Sequence, residues 1–119
     1  MERDTRSGCP IATTLDIVGD RWTLVVLRDL LTGKSRFNQF LGSPERITTN
    51  VLTDRLDMME RAGLVTKAPY QDRPKRMEYS LTRKGESLLP VMQEMCRWAN
   101  AHIPGTWTPP ASFMKRKVR

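Results

Sequence analysis

Histidine and cysteine are scarce in this chain of 119 residues: His102 is the single histidine, and Cys9 and Cys96 are the only cysteines. Two thiols near opposite ends of a chain make no disulfide framework, and with one histidine they cannot complete a tetrahedral zinc site. No Ser/His/Asp set and no phosphate-cradling glycine loop stands out, so an enzyme is not expected. Long apolar runs are missing too. The longest is Leu24-Val25-Val26-Leu27, whereas a helical span needs roughly 20 such residues. The N-terminus, Met1-Glu2-Arg3-Asp4-Thr5-Arg6, is polar with no apolar stretch behind it, which speaks against a secretory signal. These absences predict a cytoplasmic protein with no membrane association. The length suits one domain with a modest core and leaves no room for a separate catalytic domain.

What the chain does have is positive charge, with 20 Lys and Arg against 13 Asp and Glu and a net charge of +7. The excess is uneven. Residues 34–84 carry eleven basic and six acidic groups, and Lys115, Arg116, Lys117 and Arg119 add four more at the end. The segments 1–33 and 85–114 each come out at −1. Concentrated basic charge on a small domain points to a polyanion, most often nucleic acid, although a plain solvated surface has the same composition.

Hydrophobic spacing then orders the elements. Cys9-Pro10 looks like a helix start, because Pro at the first helical position loses no hydrogen bond. Ile11, Ala12, Leu15 and Val18 follow at helical spacing, and Gly19 fits the stop. Asp20 is a natural N-cap for a second helix to about Leu31, apolar nearly all round and therefore central. Ser35 can cap a short third helix over residues 36–41, with Phe37, Phe40 and Leu41 inward. Gly42-Ser43-Pro44 breaks the chain. Thr48 caps a fourth helix, with Ile47 and Leu52 placed as a hydrophobic staple and Leu52, Leu56 and Met59 as the core seam. A short helix, a turn and a longer helix form a helix-turn-helix pattern. After Gly63, residues 64–68 and 77–81 read as strands. The polar turn Gln71-Asp72-Arg73-Pro74-Lys75-Arg76 between them would make a β-wing with a basic tip. Thr82 caps a last long helix to about His102, kinked or irregular near Pro90. The Pro-containing basic tail, residues 104–119, is expected to be extended and to become ordered only on a partner.

Those residues carry a family resemblance. Cys9-Pro10 and Gly19-Asp20-Arg21-Trp22 ahead of an apolar helix are similar to the opening of the HxlR-type bacterial transcriptional regulators. Arg36-Phe37, Ile47, Leu52-Thr53-Asp54-Arg55-Leu56 and Gly63-Leu64-Val65 continue the likeness. Pro74, Arg76, Glu78-Tyr79, Leu81-Thr82, Gly85 and Trp98 complete it, over roughly residues 9–99. The resemblance implies a MarR-like α+β, mainly helical winged helix-turn-helix with flanking dimerisation helices. The domain would span residues 8–103, with the wing over about 64–82 and the C-terminal dimer helix over about 83–102. The family implies a homodimer on double-stranded DNA, with no catalytic site, metal or cofactor. Some members respond to oxidants or electrophiles through an N-terminal cysteine.

On that fold the second helix of the motif enters the major groove and presents its first residues to base edges. Thr48, Thr49, Asn50, Thr53 and Asp54 are therefore the candidates for base readout, with Asn suited to adenine and Thr to several edges. Ser35, Arg36, Arg46 and Arg55 are candidates for phosphate contact, and Arg73, Lys75 and Arg76 for contact by the wing. A structural ion pair is the competing role for Arg55. Ile11, Leu15, Leu88, Met92, Met95 and Trp98 offer more apolar face than one small domain needs and are the expected dimer interface. Cys9 at a helix N-cap faces the positive end of a helix dipole, the setting of a reactive thiol, while an inert capping cysteine fits equally well. A Cys9–Cys96 disulfide, within or between chains, also stays open. The same fold gated by a small-molecule ligand, and a winged-helix protein-interaction module, are the alternative functions.

Overall fold

A computed structural model describes residues 6–118; residues 1–5 of the polar N-terminus and Arg119 of the basic tail lie outside the described residues. Helix α1 (Pro10–Val18) starts with Pro in its first turn and stops at Gly19. Helix α2 (Thr23–Leu31) begins later than the expected Asp20 cap, with Trp22 in the N-cap position. Asp20 still serves this end. Its carboxylate accepts the N–H groups of Trp22 at 2.9 Å and Thr23 at 3.0 Å, and the Thr23 hydroxyl. Capping works here from two residues outside the helix because the chain makes an extra bend before the first regular turn.

The short α3 (Phe37–Leu41) has Arg36, not Ser35, at its N-cap. The expected Ser35 cap is replaced by the Gln39 side chain, whose Oε1 accepts the N–H of both Ser35 and Arg36 at 2.9 Å. Helix α4 (Thr49–Arg61) follows a seven-residue connection, 42–48, and is capped as expected, the Thr48 hydroxyl accepting the N–H of Val51. Ile47, Leu52, Leu56 and Met59 are all buried, so the staple and the seam are one continuous contact. Gly63 ends the helix at φ +78°, a conformation that a side chain would strain.

The wing falls where the sequence suggested, but its two strands are longer than expected. Strands β1 (Val65–Asp72) and β2 (Lys75–Leu81) pair antiparallel from Val65↔Leu81 to Asp72↔Lys75. Their register shifts between Pro69 and Gln71, and the turn shrinks to Arg73-Pro74. Polar residues hid these outer rungs, because a two-stranded ribbon standing in solvent needs no apolar alternation. A bridge from Arg36 to Glu78, with the Tyr79 N–H donating to the Ser35 carbonyl at 2.7 Å, ties the start of α3 to the wing.

The expected single last helix is two. Helix α5 (Arg83–Glu86) is capped by Thr82, whose hydroxyl accepts the Gly85 N–H and donates to the Gly63 carbonyl. Helix α6 (Leu89–His102) restarts with Pro90 in its first turn. Pro90 cannot donate to a preceding turn, so it fits the start of a helix and not its middle. Gly85 packs so closely on Leu64 that a Cβ would collide with the Leu64 carbonyl, which fixes α5 against the base of the wing.

The tail is ordered within the chain itself, contrary to the extended tail expected. Residues 111–114 form α7 (Ala111–Met114), and Phe113 packs against the core instead of awaiting a partner. That core, centred on Val26, Leu27, Phe40, Leu52, Leu56, Met59, Leu64 and Leu89, joins α2, α3, α4, α6 and the wing base.

Candidate nucleic-acid interface

The first turns of α4 leave Thr49, Asn50, Thr53 and Asp54 exposed, opposite the buried Leu52–Leu56–Met59 seam. Thr53 donates to the Thr49 carbonyl at 2.9 Å, which fixes its hydroxyl along the helix; the Asn50 amide is exposed. Arg55 takes the role weighed against phosphate contact. Its guanidinium pairs with Asp54 at 2.5 Å and lies 3.5 Å from Asp20 at the start of α2. The bond to Asp54 and the charge of Asp20 hold Arg55 more firmly protonated than usual. Burial alone would raise the Asp20 carboxyl, but bonds from Thr23 and Trp22 and the charge of Arg55 bring it below its ordinary value.

Arg36 is likewise engaged. It lies 3.8 Å from the centroid of the Tyr70 ring and 3.7 Å from Glu78, so it clips the wing to α3. Arg73, Lys75 and Arg76 at the wing tip, and Arg46 in the turn before α4, are exposed and form no ion pair among the described residues. Arg46 adopts φ +61°, a left-handed conformation uncommon outside glycine, at the turn that leads into α4. Between α3 and the wing runs a cleft of about 550 Å³ lined by Arg36, Asn38, Gln39, Tyr70, Lys75 and Arg76. The cleft sets the start of α3 beside the basic wing tip, and cations gathered in this way suit an anionic partner.

Sequence reasoning missed the group that holds the helix-turn-helix bend. Asp29, buried on α2, accepts from the Ser43 hydroxyl and pairs with Arg28 at 3.0 Å. Arg28 also forks onto Glu45 at 2.7 and 2.8 Å, and Lys34 donates to the Ser43 hydroxyl at 2.7 Å. The fork holds Glu45 below its ordinary value and Arg28 above it. An acid inside an otherwise apolar helix was the available signal.

The apolar residues divide. Ile11, Leu15, Met95 and Trp98 are more than half exposed, but Met92 is buried and Leu88 is half-buried against the core. These last two serve the chain's own interior, because α6 is apolar on two faces and the restart at Leu89 turns Met92 inward. Val91, Ile103 and Trp107 were not anticipated and extend the exposed set. Cys9 is exposed at the N-cap of α1 and its side chain makes no capping bond. Cys96 is half-buried, and both thiols are free.

A model of the HxlR-like helix-turn-helix family matches residues 17–106. The chain belongs to this family. It is 40% identical over 99 residues to the HTH-type transcriptional regulator YdeP of Bacillus subtilis, covering 83% of this chain and 77% of that one. Among solved structures it resembles the redox regulator HypR in its reduced form, with TM-score 0.74, 33% identity and coverage of 81% and 95%. It also resembles the reduced transcriptional regulator YodB from B. subtilis, with TM-score 0.68, 27% identity and coverage of 85% and 100%. This HxlR-family chain is thus a DNA-binding transcriptional regulator with a winged helix fold. No helix among the described residues is long and apolar enough to cross a membrane, and no group of three metal-ligating side chains forms there.

Proposed function

We propose that the regulator acts in the cytoplasm as a homodimer on an inverted-repeat operator and that an oxidant or electrophile releases it through Cys9. The observation that carries the operator reading is the exposed Thr49, Asn50 and Thr53 face on the first turns of α4, together with wing cations that form no ion pair among the described residues. Arg46, Arg73, Lys75 and Arg76 contact phosphate; Arg36 and Arg55 hold the frame on which those contacts are made. Two copies are needed because one such domain reads only a few base pairs, and half-sites sit about 34–36 Å apart. The solvent-facing side of α6, with Val91, Met95 and Trp98, and the start of α1, with Ile11 and Leu15, form the surface that a second copy covers.

Support for the thiol signal comes from the exposure of Cys9 next to Ile11 at the start of that surface. HypR and YodB supply the parallel, one named a redox regulator and the other solved after diamide treatment. A small-molecule effector is the second reading, favoured by an apolar cleft of about 200 Å³ between α1 and the α5–α6 link, lined by Ile17, Val18, Leu64 and Leu88. Gel shift of the purified protein on its own upstream DNA, with and without diamide, separates the two. Loss of the complex in wild type but not in Cys9→Ser establishes the thiol signal. A complex that diamide leaves intact in both proteins removes it and favours the cleft, whereas equal loss in both moves the signal to Cys96.

A further inference from the structure

Beyond the end of the family match at residue 106, the chain turns back along α6 and reattaches to the reading domain. We infer that this return segment, residues 103–116, is a brace that fixes the angle of α6, the proposed dimer helix, relative to the DNA-reading motif. The inference rests on the homodimer reading above.

Three attachments define the brace. At the far end of α6, Asn100 donates to the Thr106 hydroxyl at 2.9 Å and to the Trp107 carbonyl at 3.0 Å, with Gly105 at φ +86° making the reversal. Midway, the buried amide of Gln93 donates to the carbonyls of Phe113, Met114 and Arg116 at 3.0, 3.3 and 2.8 Å. At the near end, the Arg116 guanidinium donates to the Leu31 carbonyl, closing the end of α2, and lies 3.7 Å from Glu86 of α5. One segment therefore touches α2, α5 and both halves of α6.

The rest of α6 explains why a brace is needed. Its own core contacts, Leu89 and Met92, lie in the first turn after a two-residue link from α5. Beyond Gln93, only Cys96 and Ala99 are half-buried and the remaining residues are exposed. A helix held at one end over a short link can swing. Gln93 is informative because a buried amide must find partners, and those it has are backbone carbonyls of the return segment. A swing of α6 would change the separation of the two recognition helices in the dimer, which the operator spacing must match.

The test measures that separation. A spin label is placed at Asp57→Cys on the exposed side of α4 in a Cys9→Ser/Cys96→Ser chain, and label-to-label distances are read by double electron–electron resonance. The same label is placed in a chain ending at Pro109 and in Arg116→Ala, which leaves the apolar core intact. A narrow distribution in the full chain that becomes roughly twice as broad in both variants is the expected result. Equal widths, even with a lower melting temperature, would make the segment a stabilising cover only and overturn the brace. Absence of any dipolar signal in the full chain would instead overturn the dimer on which it depends.

Discussion

Asp29 shows how one side chain can position a surface it never reaches. It is buried, and with Ser43, Lys34, Arg28 and Glu45 it joins α2 to the bend between α3 and α4. Replacing it by Asn removes the charge that balances Arg28 and Lys34, so Asp29→Asn is expected to cost about 1–3 kcal/mol in urea unfolding. The Arg28–Glu45 fork predicts a pH dependence. Glu45 is held below its ordinary value of 4.5 by the fork. A carboxyl lowered in the folded chain contributes stability that is present above its unfolded value and is lost as pH falls through the folded one. Stability should therefore decline below about pH 4.5, and Glu45→Gln should flatten that part of the urea-midpoint profile. At the interface, Asn50→Ala is expected to lower affinity for the preferred site by about 1–3 kcal/mol, relax selection at one base pair and leave the salt dependence unchanged. Binding assays on matched and single-base-altered duplexes check it.

Helix α4 was the element most legible in the sequence, because a hydroxyl cap, a staple and an i, i+4, i+7 seam all fall within Ile47 to Met59 and all point to one packing face. Leu56→Ala should accordingly cost about 2–5 kcal/mol, read as a lower denaturation midpoint, since nothing beside this fully buried side chain can fill its space without moving the seam. The wing was legible only in its inner half. Met77, Tyr79 and Leu81 alternate along β2, the last two packed on the core, whereas the rungs from Gln71 to Arg76 are set by backbone pairing in solvent and leave no apolar trace. The break between α5 and α6 was legible only as an irregularity expected near Pro90, because helical spacing runs on across Ser87. Of the site, the exposed face of α4 and the wing cations could be read from capping and charge. The ion pair of Arg55 was weighed from its acidic neighbours, but its second partner Asp20 and the engagement of Arg36 by Tyr70 could not be read, because each pairs residues far apart in the chain.

At the scale of the whole molecule, basic residues gather at the wing and its cleft with α3, and large exposed apolar residues lie on α1 and α6. The apolar set, Ile11, Leu15, Met95 and Trp98, predicts self-association. Trp98→Glu should shift the protein toward the monomer in sedimentation velocity while leaving its melting cooperative, because this side chain is 61% exposed in the single chain. In the proposed complex the start of α4 and the wing grip DNA together. The most direct measurement is fluorescence anisotropy of the intact regulator on a duplex selected from a random library, titrated over a salt series alongside Arg73→Ala, Lys75→Ala and Arg76→Ala. Preference for the selected duplex over a scrambled one, with the slope of log affinity against log salt reduced by about one for each wing cation removed, is the predicted result. Equal binding to both duplexes, or a slope indifferent to all three substitutions, would contradict it.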